Sequence, residues 1–128
     1  MVFLDANILL ELILPDRKQA VSVDRTLAGL AEPTAISMLS LHLVYHFGRK
    51  AGIQDVHLRA VLAPHELLSS QPADYEWALE HEDGVDFEDA LQLAAALRAG
   101  CERFMTLDQA LARRYGGQPV EFIVPRAS

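Results

Sequence analysis

Three aspartates stand where short apolar runs give way to helical patterns: Asp5 in MVFLDANILLEL, Asp89 in DGVDFEDALQLAAAL and Asp108 in RFMTLDQALARR. In an open α/β sheet the carboxyl ends of the strands meet at one edge, and ligand sites form there. Carboxylates delivered to that edge from separate βα units could share one divalent cation. Two such charges about 4 Å apart repel by roughly 4 kcal/mol at an effective dielectric of ~20, so the cluster is best tolerated around a hard ion such as Mg²⁺ or Mn²⁺. The chemistry this suggests is metal-assisted cleavage of a phosphodiester. Asn7, two residues after Asp5, could orient a neighbouring carboxylate. Each aspartate also has a purely structural alternative. Asp5 and Asp108 sit at N-cap positions, and Asp86 and Asp89 have the spacing of a capping box with Asp in place of the usual Glu.

The elements that must position these groups alternate along the chain. Residues 2–4 are expected to form a short buried strand, and 7–14 a helix stopped by Pro15. Ala20, Val23, Leu27 and Leu30 recur at three- and four-residue steps, which predicts a helix over 17–31 broken at Glu32-Pro33. A second strand is expected at 34–36, and Ser37 or Ser40 can cap a helix reaching about residue 50 and ended by Gly52. Further helices are expected at 55–62, 74–81, 87–98 and 109–115. Residues 102–107 and the VEFIV run read as strands, while 65–70 stay open between strand and loop. Short connections and α/β alternation predict one domain over residues 1–128, built on a mostly parallel sheet covered by helices.

Composition sets the outer bounds. An apolar content of 51% with 23% charged residues excludes a disordered chain. The single cysteine, Cys101, excludes an internal disulfide and reads as a small buried hydrophobe. The start lacks the features of a signal peptide, and no apolar stretch approaches the ~20 residues a membrane span needs. A soluble cytoplasmic protein is expected. The net charge of −7 argues mildly against a nucleic-acid binder, although a carboxylate metal site is itself acidic.

Taken in order, LDANILLE, ISMLSLHLVYHFGRK, DGVDFEDALQLAAAL and FMTLD resemble the PIN-domain family. These are small Mg²⁺- or Mn²⁺-dependent ribonucleases that include the VapC toxins of toxin–antitoxin pairs. The segments span nearly the whole chain in the family's order. The resemblance implies a three-layer fold with a central, mostly parallel sheet of four to five strands flanked by helices. It implies catalytic roles for Asp5, Asp86, Asp89 and Asp108, with metal contact through Asp5, Asp89 and Asp108 and an auxiliary acidic role for Asp86. Asn7 matches the polar residue that commonly follows the first aspartate. Thr106 matches a small polar position near the site, and reads equally well as a β-former at a strand end. The resemblance further implies an RNA substrate, a homodimer, and a small antitoxin whose tail covers the acidic groove.

One departure has consequences. The family's glutamate on the helix after the second strand falls at Leu43, or at His42 if the register slips, and no carboxylate lies between Glu32 and Asp55. His42 and His46, four apart on one helix, could bring imidazoles to the metal, or could be ordinary exposed or part-buried residues. Glu11 could compensate from the first helix. The third alternative is a PIN-like module with a weakened or lost metal site that binds RNA or a protein partner without cutting. The pairs Arg17/Lys18, Arg49/Lys50 and Arg113/Arg114 are candidates for phosphate contact, although exposed charge pairs are more often solvating surface. Leu10, Ile13, Val44 and Phe47 could supply an apolar interface, or could all belong to the core. A phosphomonoesterase is disfavoured because Ala-Asn-Ile follows Asp5 where a second aspartate would be needed.

Overall fold

A computed structural model of the chain describes residues 1–83 and 86–126, so Gly84 and Val85 of the expected DGVD turn lie outside the described residues. In chain order the elements are β1 (Val2–Leu4), α1 (Ala6–Ile13), α2 (Ala20–Ala28), β2 (Thr34–Ser37), α3 (Met38–Lys50), α4 (Asp55–Leu62), β3 (Glu66–Leu68), α5 (Pro72–His81), α6 (Phe87–Arg98), β4 (Arg103–Met105), α7 (Gln109–Arg114) and β5 (Glu121–Ile123). The five strands form one parallel sheet in the order β3-β2-β1-β4-β5. This is the three-layer α/β fold expected from the sequence, and it places β1 in the centre with β2 and β4 on either side.

The two-residue period of the strands divides the core. Val2, Leu4, Ile36 and Met105 face one layer, where they pack with Ile8 and Leu9 of α1, Val23 of α2, Val44 of α3, and Leu58 and Leu62 of α4. Phe3, Ala35 and Phe104 face the other, against Leu93 and Ala96 of α6 and Leu111 of α7. Phe3 and Phe104 stack with ring centroids 5.1 Å apart, joining β1 to β4 by side chains as well as by backbone. Cys101 is buried in this second layer, as the sequence implied.

Most boundaries fall where the sequence placed them, and the second helix is the main correction. It begins at Ala20 rather than Arg17, and it ends at Ala28. Asp16 takes a left-handed conformation (φ 60°) after Pro15, which no helix can continue through. The following turn is tied to α1: Glu11, buried, accepts from the Gln19 backbone N–H at 2.6 Å and lies 4.0 Å from the Arg17 guanidinium. Glu11 thus anchors the α1–α2 connection. Val44 is core, Leu10 and Ile13 pack partly buried against it, and of the four candidate interface residues only Phe47 is among the exposed large hydrophobics.

Candidate active site

The parallel sheet brings Asp5, at the end of β1, beside Thr106 and Asp108, which follow β4. The Asp5 N–H donates to the Met105 carbonyl at 2.9 Å, which continues the β1–β4 ladder into the site. Asp5 caps α1 through Oδ1, which accepts from the Ala6 N–H at 2.8 Å. Its Oδ2 accepts from the Thr106 hydroxyl at 2.8 Å and the Asn7 amide at 3.3 Å. The Thr106 oxygen in turn accepts from Asn7 Nδ2 at 3.2 Å and the Asp108 N–H at 3.1 Å. Asn7 Oδ1 closes the circuit by accepting from the Leu107 N–H at 3.1 Å. Asn7 and Thr106 therefore fix the Asp5 carboxylate and the turn leading to Asp108 as one unit.

The other two aspartates come from α6 and its cap. Asp86 accepts from the Asp89 N–H at 3.4 Å, and Asp108 accepts from the Leu111 N–H at 3.1 Å, so both cap helices as their spacing suggested. Capping uses one oxygen and does not exclude a role for the second. Asp89 feels the charges of Asp5, Asp86 and Asp108, which brings all four aspartates into one electrostatic neighbourhood.

That neighbourhood is strained by burial and like charge. Burial pushes the Asp5 carboxyl from its ordinary 3.8 up to about 6, against the lowering effect of the Thr106 and Ala6 hydrogen bonds, and the charges of Glu88 and Asp108 add to the rise. Asp89 is pushed to about 8, first by burial, then by its carboxyl hydrogen bond to Asp86 and by the surrounding carboxylates. Glu88 is also raised, by burial and by Asp86.

The sequence did not point to Glu88. It precedes Asp89 in the first turn of α6, where a glutamate ordinarily serves the helix dipole. Glu88 is exposed, and its charge acts on Asp5 alongside that of Asp108. A buried polar clamp was also missed. Gln92, 1% exposed, accepts from the Ser37 hydroxyl at 2.5 Å and donates to the Ser40 hydroxyl at 2.7 Å. Ser37 also caps α3 by accepting from the Ser40 N–H at 3.1 Å. One turn along α6 from Asp89, this clamp locks α6 to the start of α3. A glutamine inside LQLAAAL, among otherwise apolar neighbours, was the available signal.

His42 and His46 stand apart from this centre. They are exposed, stack on each other with ring centroids 5.9 Å apart, and frame an open groove with Tyr45 and Arg49. No histidine figures among the groups acting on Asp5 or Asp89. Leu43 is half-buried and uncharged. Among the basic pairs, Arg49 is held by both oxygens of Asp55 and Arg17 lies against Glu11.

The donor set is all oxygen, acidic, and enriched in repulsion that a cation would relieve, which fits a hard divalent ion. Among the described residues no three His, Cys, Asp or Glu side chains stand close enough to enclose an ion. An ion held here would need oxygen ligands beyond these side chains.

A parallel sheet in this strand order, with acids converging at its carboxyl edge, defines a PIN-like α/β protein. The PIN domain family matches residues 2–117, and the chain belongs to that family. Among solved structures it is similar to a toxin–antitoxin complex from Klebsiella pneumoniae, with 22% identity, a TM-score of 0.76 and 100% of each chain covered. It is also similar to VapC20 of Mycobacterium tuberculosis, described as a sarcin–ricin loop cleaving toxin, with 18% identity, a TM-score of 0.75, and coverage of 94% and 99%. A third likeness is to VapBC2 of Rickettsia felis bound to a promoter DNA fragment, with 16% identity, a TM-score of 0.72, and coverage of 97% and 98%. At these identities the likeness establishes the fold. A search among curated proteins finds no match.

Proposed function

We propose that the chain is a metal-dependent endoribonuclease that hydrolyses RNA phosphodiester bonds, acting as the toxin of a toxin–antitoxin pair. The observation that carries this reading is the convergence of Asp5, Asp86, Asp89 and Asp108, with Asp5 and Asp89 raised to about 6 and about 8. Asp5, Asp89 and Asp108 are the groups to hold Mg²⁺ or Mn²⁺. Such an ion, when bound, activates water and neutralises charge developing on the phosphate. Asp5 is held ready for it by Thr106 and Asn7. Asp89 must release its proton to take part, and Asp108 orients the attacking water. Asp86, hydrogen-bonded to Asp89, is placed to accept the proton that the water gives up. Asn7 and Thr106 position Asp5, whereas His42 and His46 take no part in this scheme.

The toxin–antitoxin descriptions of the similar structures support a small antitoxin as partner. We further take residues 1–128 as one PIN-like domain that works in the cytoplasm as a homodimer. Among the described residues no helix is long and apolar enough to cross a membrane. With Leu43 in place of the family's glutamate, activity is reduced rather than changed in kind.

A second reading, a PIN-like module that binds RNA or a partner without cutting, is favoured by the absence of any three gathered ligands among the described residues. Cleavage of a mixed RNA pool in Mn²⁺ by the wild type and by Asp5→Asn separates the two. The nuclease reading expects activity that vanishes in the variant while the circular dichroism spectrum is kept, and cleavage by the variant at the wild-type rate contradicts it.

A further inference from the structure

An open groove of about 630 Å³ lies beside Asp108, at the β5 edge of the sheet. Leu107 and Gln109, the chain neighbours of Asp108, form one side. Phe122 on β5, Val124 and Arg126 beyond it, and Gln19 before α2 form the rest. The groove mixes three kinds of surface. Leu107, Phe122 and Val124 are part-buried and apolar, suited to the face of a base or ribose. The Gln19 and Gln109 amides offer both donors and acceptors. The Arg126 guanidinium suits a phosphate.

The charge arrangement makes Arg126 the informative member. A chain of net charge −7 with an acidic centre repels a polyanion, so a substrate strand must be gripped by cations at the rim. Several arginines are already engaged: Arg17 with Glu11, Arg49 with Asp55, Arg98 with Asp74 and Arg103 with Glu32. The Arg126 guanidinium makes no ion pair among the described residues, and the residue is exposed. Its backbone is nevertheless fixed, because the Ser22 hydroxyl donates to the Arg126 carbonyl. A cation without an ion pair among the described residues, on a backbone tethered to α2, lines the groove flanked by Leu107 and Gln109 and suits the phosphate adjoining the one being cut.

We infer that this groove is a subsite for an RNA nucleotide flanking the scissile phosphate, with Arg126 on its phosphate and Gln19 and Gln109 on its polar edges. The inference rests on the nuclease reading and extends it to the substrate. None of the basic pairs expected from the sequence lies in this groove.

The test uses a fluorescently labelled RNA oligonucleotide and the full chain carrying Asp5→Asn, which keeps the groove. Adding Arg126→Ala is expected to weaken RNA binding about tenfold and to lower the slope of log affinity against log salt by about 1. Arg126→Lys should recover part of the loss. In the wild-type background Arg126→Ala should leave Mn²⁺ affinity unchanged. Gln109→Leu, on a separate element, should weaken RNA binding independently. RNA affinity unmoved by both Arg126→Ala and Gln109→Leu overturns the subsite, as does an Asp5→Asn chain that binds no RNA. If the wild type cuts RNA but Arg126→Ala matches it in KM, the subsite fails and the nuclease stands. If the wild type neither cuts RNA nor binds Mn²⁺, yet Arg126 governs RNA affinity, the nuclease fails and the subsite stands.

Discussion

On the β1–β4 flank of the site, Asp5 is buried, receives three hydrogen-bond donors, and shares Thr106 and Asn7 with the turn that carries Asp108. On the α3–α6 flank, where the family places a glutamate, the half-buried residue is Leu43 and the buried polar contacts are neutral: Ser37, Ser40 and Gln92. The first flank holds a buried carboxylate in a hydrogen-bonded frame, and a cation there would relieve its repulsion with the neighbouring acids. The second joins α3 to α6 through neutral groups, and its acids, Asp86, Glu88 and Asp89, are confined to the cap and first turn of α6. The hydrogen-bonded carboxylate frame around Asp5 and the neutral Ser37–Gln92–Ser40 clamp can each be perturbed separately.

The largest effect is expected on the charged flank. Thr106→Val keeps the shape and removes the hydroxyl that donates to Asp5 Oδ2. Loss of an orienting partner of this kind typically lowers metal affinity by about 10–100-fold. Because that hydrogen bond lowers the Asp5 pKa, its loss should also move Mn²⁺ binding to higher pH, as calorimetry across pH would read out. Unchanged affinity and pH profile would show that Asp5 does not depend on this frame.

On the neutral flank the consequence should be stability. Gln92→Leu leaves the Ser37 and Ser40 hydroxyls without their buried partner, at a cost of about 1–3 kcal/mol in urea unfolding. Adding Ser40→Ala should recover part of it, since removing both partners costs less than removing one. A loss of Mn²⁺ affinity as large as that of Thr106→Val, with stability intact, would erase the distinction between the flanks.

Leu43→Glu should sharpen the same contrast in the other direction. A carboxylate restored to α3 is expected to tighten Mn²⁺ binding several-fold and to raise RNA cleavage. If cleavage stays level while the metal binds more tightly, the α3 acid is not what limits cleavage.

The smallest effect is a pH trend in the metal-free protein. Asp5 and Asp89 have folded-state pKa values of about 6 and about 8, above their ordinary 3.8. The folded state therefore holds more protons than the unfolded one between these values, and stability present below pH 4 declines as pH rises through 6 to 8. Saturating Mn²⁺ should flatten that decline by binding the ionised form. Thermal midpoints from pH 4 to 8, with and without Mn²⁺, would show it; a metal-free midpoint that rises over this range would contradict the burial of these carboxyls.

The strand–helix order was legible because the strands are short apolar runs with clean punctuation, and because Pro15, Gly52 and Gly100 end elements where the chain requires it. The aspartates were legible individually, since Asp5 and Asp108 stand at βα junctions and Asp86 and Asp89 at the start of α6. Glu88 and Gln92 were not. Neighbouring α6 residues follow the helical period in sequence, but which of them turns toward Asp5 or Ser37 depends on how α6 rests across the sheet. The start of α2 was misread because periodicity cannot report the left-handed turn at Asp16 or the grip of Glu11 on Gln19. Arg126 was overlooked for a similar reason: its place in one groove with Leu107 and Gln109 is created by the pairing of β4 with β5.

The most direct test of the account is a calorimetric Mn²⁺ titration of the wild type and of Asp5→Asn, with cleavage of a mixed RNA pool followed in the same preparations. The account predicts binding and cleavage in the wild type and the loss of both in the variant, with the fold retained. A folded wild type that neither binds Mn²⁺ nor cleaves RNA, or a variant that still does both, would contradict it.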